Sequence, residues 1–271
     1  MANLVLGKKV DYPTKYNPSL LFPIPRVVNR VKIKFKASFY GYDIWNCYEV
    51  SWLNPKGKPE VRILELYIPC DSPNLLESKS LKLYLFSFNS EKFASSEEVE
   101  GIIKTDISHA VGQEVIVKMM RLDQLEGTSL AKPPGICIDD LDINIEAEYS
   151  SSKLLKFNKT KLADEVIYTN LHKTNCLVTH QPDWATVIIS YKGPQLEHTS
   201  VLEYIVSHRE EDMFHEDSVE KIYSEISGIT NFERLIVWAR YTRRGGIDIN
   251  PVRSNVPISL SNLVNERLVR Q

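Results

Sequence analysis

The sequence predicts an α+β protein built from two tandem copies of one unit, each an antiparallel sheet with two helices packed on one face. Three observations predict it. Residues 60–103 and 184–222 follow one pattern through three successive segments. Glu77 matches Glu197, Tyr84 matches Tyr204 and Val99 matches Val219, at an offset of 120 residues (197 − 77, 204 − 84, 219 − 99). A register kept across three segments marks a duplication. Within each copy the elements run strand, strand, helix, helix, strand, strand, an order that groups the helices beside one sheet.

Each element has its own signal. RILELYIP (62–69) and TVIISYKG (186–193) mix β-branched and apolar residues and end at proline or glycine, which marks strands. In the second copy Val201, Leu202, Ile205 and His208 recur at helical spacing. In the first copy Leu81, Leu83 and Leu85 alternate like a strand, while Leu81, Tyr84, Leu85 and Phe88 recur like a helix. The repeat partner selects the helix. SSEEVEGIIKTDISHAV (95–111) and HEDSVEKIYSEISGI (215–229) read as helices whose acidic first turns suit the helix dipole. Strand-like stretches follow each helix pair: EVIVKMMRL and INIEAEYS, then RLIVWARY and DINPVRS. The proline pair in TSLAKPPGICIDDLD marks a loop or an edge. The expected division is an extended N-terminal arm over 1–30, a first domain over 31–149, a polar linker over 150–161 and a second domain over 162–271.

Composition excludes several classes. The 271 residues carry 33 basic and 35 acidic side chains and a net charge of −2, so no cationic surface invites nucleic acid or an anionic membrane. The N-terminus lacks the apolar core of a signal peptide, and no apolar run approaches the roughly 18 residues of a membrane span. Cys47, Cys70, Cys137 and Cys176 are widely spaced and form no CxxC pair, so neither a zinc site nor a disulfide framework is indicated. A reduced, cytoplasmic protein is expected. No GxGxxG, GxxxxGK[ST], GxSxG or HExxH occurs, so a dinucleotide would bind outside a Rossmann fold.

Three stretches could carry chemistry. In TNCLVTHQPDWA (174–185), Cys176 is either a small buried hydrophobe or a nucleophile. Polar neighbours put the thiol near an exposed strand end. Pro182 is expected to stop the strand and leave Asp183 on a turn, able to fold back as a proton source. His180 would lie about 13 Å from Cys176 along a strand and is read as a polar strand-end residue. In FHEDSVEKI (214–222), Asp217 and Ser218 can serve the helix start. His215 and Glu216 are then left for ligand recognition, since a carboxylate accepts two hydrogen bonds from an N–H/NH₂ edge such as guanine presents. In LLESKSLKLYLFSF (75–88), Lys79 and Lys82 sit at a helix start that can hold an anion. The bland alternatives for the last two are a solvated helix terminus and a solvated basic face. The first copy has no counterpart of Cys176, His215 or Glu216, and the second lacks the lysines. That complementary loss points to one composite site.

Taken together, ESKSLK (77–82), NCLVTHQPDWA (175–185) and FHED (214–217) resemble the signature and active-site segments of one family. It is the NADPH-dependent 7-cyano-7-deazaguanine reductases, the QueF-type nitrile reductases of queuosine biosynthesis, in their bimodular branch. The resemblance implies two tunnelling-fold domains and reduction of the nitrile to an aminomethyl group through a covalent cysteine thioimide. It implies two NADPH per turnover, no metal, and a homodimer that binds no nucleic acid or membrane. By resemblance, Cys176 is the nucleophile and Asp183 the general acid/base. Leu76, Glu77, Ser78, His215 and Glu216 bind substrate, and Ser78, Lys79, Arg244 and Gly245 contact the cofactor. Two rivals are a metal-dependent cyclohydrolase-like pterin or purine enzyme and a non-catalytic purine-binding protein on the same fold.

Overall fold

The computed structural model describes residues 12–32, 38–145, 150–263 and 265–271. The chain divides into two compact units. One comprises residues up to Asn29, Asp43–Ser129 and Arg243–Ile249; the other comprises Arg30–Tyr42, Leu130–Thr242 and Asn250–Gln271. No helix among the described residues is long and apolar enough to cross a membrane.

In the first unit a short pair joins β1 (Pro23–Pro25) to β4 (Asn74–Leu76), antiparallel. The main strands are β2 (Tyr40–Leu53), β3 (Pro59–Pro69) and β5 (Ile116–Met120), in the order β5-β3-β2, with β3 and β5 antiparallel. The expected fourth strand, INIEAEYS, lies partly outside the described residues, at 146–149, and its Ile143–Ile145 carry no strand. The position beside β2 belongs instead to β10 (Ile247–Ser254), whose first residues Ile247–Ile249 are part of this unit. Helices α2 (Ser78–Phe86) and α3 (Ser96–Val111) cover one face. The alternating β3 residues Leu64, Leu66 and Ile68 meet Leu81, Tyr84 and Leu85 of α2 and Val99, Ile103 and Ile107 of α3 in one core, as the period-2 and period-3.6 patterns require.

In the second unit the order is β10-β9-β8-β7-β6. Its strands are β6 (Ile136–Cys137), β7 (Phe157–Asn175), β8 (Pro182–Leu196) and β9 (Arg234–Tyr241). β7, β8 and β9 are antiparallel neighbours, and β6 adds in parallel. Helices α4 (His198–Val206) and α5 (His215–Ser227) bury Val201, Leu202, Val219 and Ile222 against Val187, Ile189, Val237 and Ala239. Residues 150–161, expected as a linker, carry a 3₁₀ turn at Ser152–Leu154 and the start of β7. In the expected arm, residues 1–11 lie outside the described residues. The remainder holds a 3₁₀ turn at Pro18–Leu20, then β1, then the start of helix α1 (Arg26–Lys32) rather than extended chain throughout.

The duplication is visible atom by atom. Ser80 and Ser200 each donate their hydroxyl to the carbonyl three residues earlier, Glu77 at 2.7 Å and Glu197 at 2.8 Å. Tyr84 donates to Asp106 and Tyr204 to Glu225, both at 2.6 Å. The loop between the two helices docks on a strand end in the same way twice. Leu53 N–H donates to Glu91 O (2.8 Å) and Phe93 N–H to Leu53 O (2.9 Å). Asn175 N–H donates to Glu211 O (2.8 Å) and Met213 N–H to Asn175 O (3.0 Å).

Buried charge in the second unit is paired. Arg253 is fully buried and meets Glu220 at 2.8 Å; Arg30 meets the same carboxylate at 2.8 Å. Phe39 lies under both guanidinium groups, 5.2 Å from each. Glu220→Ala strands the Arg253 charge in the interior, and urea unfolding should show a loss of about 3–5 kcal/mol. A loss below about 1 kcal/mol, the scale of a surface pair, contradicts this description.

His172 and His208 are also fully buried. Burial holds the pKa of each down to about 3, aided by His208 beside His172 and by Lys221 beside His208. Unfolded, each takes a proton near its ordinary value of 6.5. Between these limits the unfolded chain binds more protons. The associated stability is therefore present above pH 6.5 and falls as pH drops toward 3, by up to about 1.4 kcal/mol per pH unit per histidine. Unfolding free energies at pH 7.5, 6 and 5 should fall in the parent. The slope should be shallower by about one proton in His208→Gln; parallel slopes refute the assignment.

Candidate active site

The second unit brings Cys176, Asp183, His215 and Glu216 to one end of its sheet by three local devices. The first is the hairpin. β7 ends at Asn175, which faces Pro182, the first residue of β8, and Thr174 faces Asp183. Pro182 therefore opens a strand rather than closing one, and Asp183 is a strand residue rather than a turn residue. A proline is tolerated there because a strand's first position can spare its N–H.

The second device is the tight loop 176–181. Cys176 N–H donates to Gln181 O (2.8 Å), and His180 N–H donates back to Cys176 O (2.9 Å). His180 takes a left-handed φ of 55°, costly for a residue other than glycine, and its Nδ1 meets Asp212 at 3.0 Å. It thus ties the loop to the segment before α5, and it sits in that loop rather than at a strand end about 13 Å from Cys176, because the chain turns back at once. Cys176 is only 6% exposed, more enclosed than its polar neighbours suggested.

The third device is the docking of Glu211–Met213 on Asn175, which delivers the start of α5 to the hairpin. Phe214 occupies the N-cap with no side-chain cap bond, and Asp217 lies in the acidic first turn. Ser218 meets His172 Nε2 at 3.1 Å. His215 Nε2 lies 3.4 Å from Asp183 Oδ2. The His215 ring stacks on Tyr241 with centroids 3.7 Å apart and planes 4° from parallel. Glu216, in the first turn, is 3% exposed, and Asp183 is 7% exposed. Two carboxylates, an imidazole and a thiol share one end of one sheet, a set able to add a nucleophile and move a proton.

The second predicted cluster stands in the first unit. Glu77 is the N-cap of α2, its carboxylate accepting from Lys79 N–H and Ser80 N–H, both at 2.8 Å. The helix start expected to hold a ligand anion is therefore filled by the chain's own carboxylate. Burial raises the pKa of Glu77, against the opposing pull of these two bonds and of Lys79 and Lys82. Glu197, its repeat partner, makes no such cap. Leu76 is buried, ending β4, and Ser78 opens α2. Lys82 is pushed to lower pKa by burial first and then by the Arg244 charge, with Lys79 adding to it. Gly245 has φ +62°, and a β-carbon there would strike the Lys82 ammonium. Three cations crowded beside a glycine fit a phosphate-bearing ligand. Among the described residues, no group of three or more His, Cys, Asp or Glu side chains is placed to hold a metal ion.

Tyr241 and His172 were not singled out from the sequence, and Ser218 was read only as a helix-start residue. Tyr241 reaches the site only because β9 pairs with β8 so that Tyr241 faces Ala185, two residues beyond Asp183.

Two family descriptions match the chain. Residues 12–119 match the family described as nitrile reductase, 7-cyano-7-deazaguanine-reductase, N-terminal part. Residues 182–257 match the family described as QueF-like protein. The α+β units agree with the tandem tunnelling-fold domains that these matches imply. The chain belongs to the QueF-type nitrile reductases, oxidoreductases that act on the nitrile of 7-cyano-7-deazaguanine in the queuosine pathway.

Proposed function

We propose that the chain reduces the nitrile to the aminomethyl product through a covalent thioimide on Cys176, with NADPH as reductant. The observation that carries this reading is the geometry at the hairpin end. An enclosed thiol follows the residue that faces Pro182, and the next residue, Asp183, meets His215 at 3.4 Å.

The chemistry asks for these groups. A nitrile carbon is a poor hydride acceptor. The Cys176 thiolate adds to that carbon, forming a C–S bond as the nitrogen takes a proton from Asp183. The resulting thioimide carbon accepts hydride more readily. Collapse of the reduced carbon expels the thiolate and leaves an imine, so Cys176 is regenerated before the second reduction. Over the cycle the nitrile gains two hydrides and two protons, and general acid catalysis of this kind contributes about 10²–10⁴-fold. His215, beside Asp183, keeps the carboxyl oriented. Glu216 accepts the N–H/NH₂ edge of the deazaguanine.

Leu76, Glu77 and Ser78 are proposed substrate contacts. For Glu77, both carboxylate oxygens already accept backbone N–H groups, so its contact would use their remaining lone pairs. Ser78, Lys79, Arg244 and Gly245 are proposed for NADPH, and the crowded charges of Lys82 and Arg244 support a phosphate there. The bound cofactor supplies the hydrides. The same reading has the chain working as a homodimer in the cytoplasm. All four cysteines are free, as a reducing compartment keeps them.

Intact mass after mixing with 7-cyano-7-deazaguanine, without NADPH, tests the first step. The parent should gain the mass of one substrate, and Cys176→Ala should gain nothing. No adduct at saturating substrate overturns the mechanism. Asp183→Asn should lower the NADPH oxidation rate by about 10²-fold or more while substrate binding by calorimetry changes little. An equal loss in both would make Asp183 a binding residue instead.

A further inference from the structure

A buried polar chain lies behind the candidate catalytic pair, wholly inside the second unit. Tyr241 is fully buried at the end of β9. Its backbone is fixed on both sides: its N–H donates to Asn250 Oδ1 at 3.1 Å, and its carbonyl accepts from Gln271 Nε2 at 3.2 Å. Its hydroxyl makes a long hydrogen bond to His172 Nε2 at 3.4 Å, and the same nitrogen meets the Ser218 hydroxyl at 3.1 Å. The His172 ring in turn packs edge-on against His208, 5.8 Å away. His208 donates Nδ1–H to the Tyr204 carbonyl at 2.9 Å, as that acceptor requires. Burial keeps both imidazoles neutral over the physiological range, so the chain is a set of dipoles rather than charges.

Such a chain is costly to build. Several polar groups are withdrawn from water for few hydrogen bonds, more than a fold needs to fill this space with apolar side chains. What the chain touches at its outer end is the His215 ring, stacked face to face on Tyr241. One ring edge of His215 is aimed at Asp183. The other edge, Nδ1, is buried and makes no hydrogen bond among the described residues. Nothing polar on His215 itself therefore sets the plane of its ring beyond the Asp183 contact. The stack does.

We propose that Tyr241 is a positioning residue for the nitrile reduction, held by His172 and Ser218 and acting through His215 on Asp183. The inference rests on the function proposed above. It assigns to Tyr241 no contact with substrate.

A double-mutant cycle read as the rate of NADPH oxidation with 7-cyano-7-deazaguanine tests it. Tyr241→Leu removes the stack and should lower kcat about tenfold in the parent, and less than about twofold when His215 is already alanine. Tyr241→Phe keeps the ring and loses only the hydroxyl with its hydrogen bonds, so kcat should fall between the parent and Tyr241→Leu. The Cys176 adduct should form in all three at the parental extent. An equal loss of kcat in the two backgrounds overturns the proposal, because Tyr241 would then act on the fold and not through His215.

If Tyr241→Leu fails to fold, Tyr241→Phe runs through the same cycle. If His215→Ala is too slow to time, the imidazole resonances of labelled histidine decide. Ring current from Tyr241 should displace the His215 signal in the parent and release it in Tyr241→Leu; a signal unmoved between the two overturns the proposal. A parent chain that neither forms the adduct nor oxidises NADPH overturns the functional reading and the role with it, while leaving the displaced His215 signal in place.

Discussion

The arrangement depends on one constraint, the docking of the segment between α4 and α5 on the last residue of β7. Two backbone hydrogen bonds from Asn175, to Glu211 and from Met213, fix where β7 stops. Because β7 stops there, the loop 176–181 must close in six residues, with Pro182 facing Asn175. Because the segment is held there, α5 starts beside the hairpin and His215 meets Asp183. Moving either hydrogen bond would shift Cys176, Asp183, His215 and Glu216 together. Backbone bonds suit this task, since they depend little on side-chain chemistry and leave the side chains free to vary.

The first unit shows what the same constraint does without the chemistry. Leu53 is held between Glu91 and Phe93 by the same two bonds, and β3 again opens on a proline, Pro59. The loop there is Asn54 to Lys58, closed by Gly57 N–H on Asn54 O at 2.8 Å, and carries no thiol. The scaffold is thus common to both units, and the loop thiol belongs to one. What differs is the filling: Glu77 caps α2 where Glu197 leaves α4 uncapped, and Lys79 and Lys82 stand where the second unit has Thr199 and Leu202.

The sequence showed the repeat, the four main helices and most strands because these rest on local periodicity. It misjudged features that rest on pairing. Pro182 looked like a strand terminator, yet its place opposite Asn175 lets it begin β8. INIEAEYS read as strand-like, yet its described residues Ile143–Ile145 carry no strand, and the place beside β2 is filled by the start of β10, more than a hundred residues on. Glu77 was read beside a helix start open to anions, and its own side chain closes that start. Tyr241 carried no signal, since only the register of β8 against β9 brings it under His215. Cys176, Asp183, His215 and Glu216 could be singled out because each lies within a short motif, and the hairpin and α5 bring those motifs to one end of the sheet.

The central claim is that the hairpin end presents Cys176 to a nitrile carbon with Asp183 at the nitrogen. A crystal structure of the chain soaked with 7-cyano-7-deazaguanine tests it most directly. The account predicts unbroken density from Cys176 Sγ to the former nitrile carbon, an Asp183 oxygen within hydrogen-bond reach of the nitrogen, and Glu216 on the N–H/NH₂ edge. A nitrile bound in full occupancy but unbonded to Cys176, or turned away from Asp183, would contradict it.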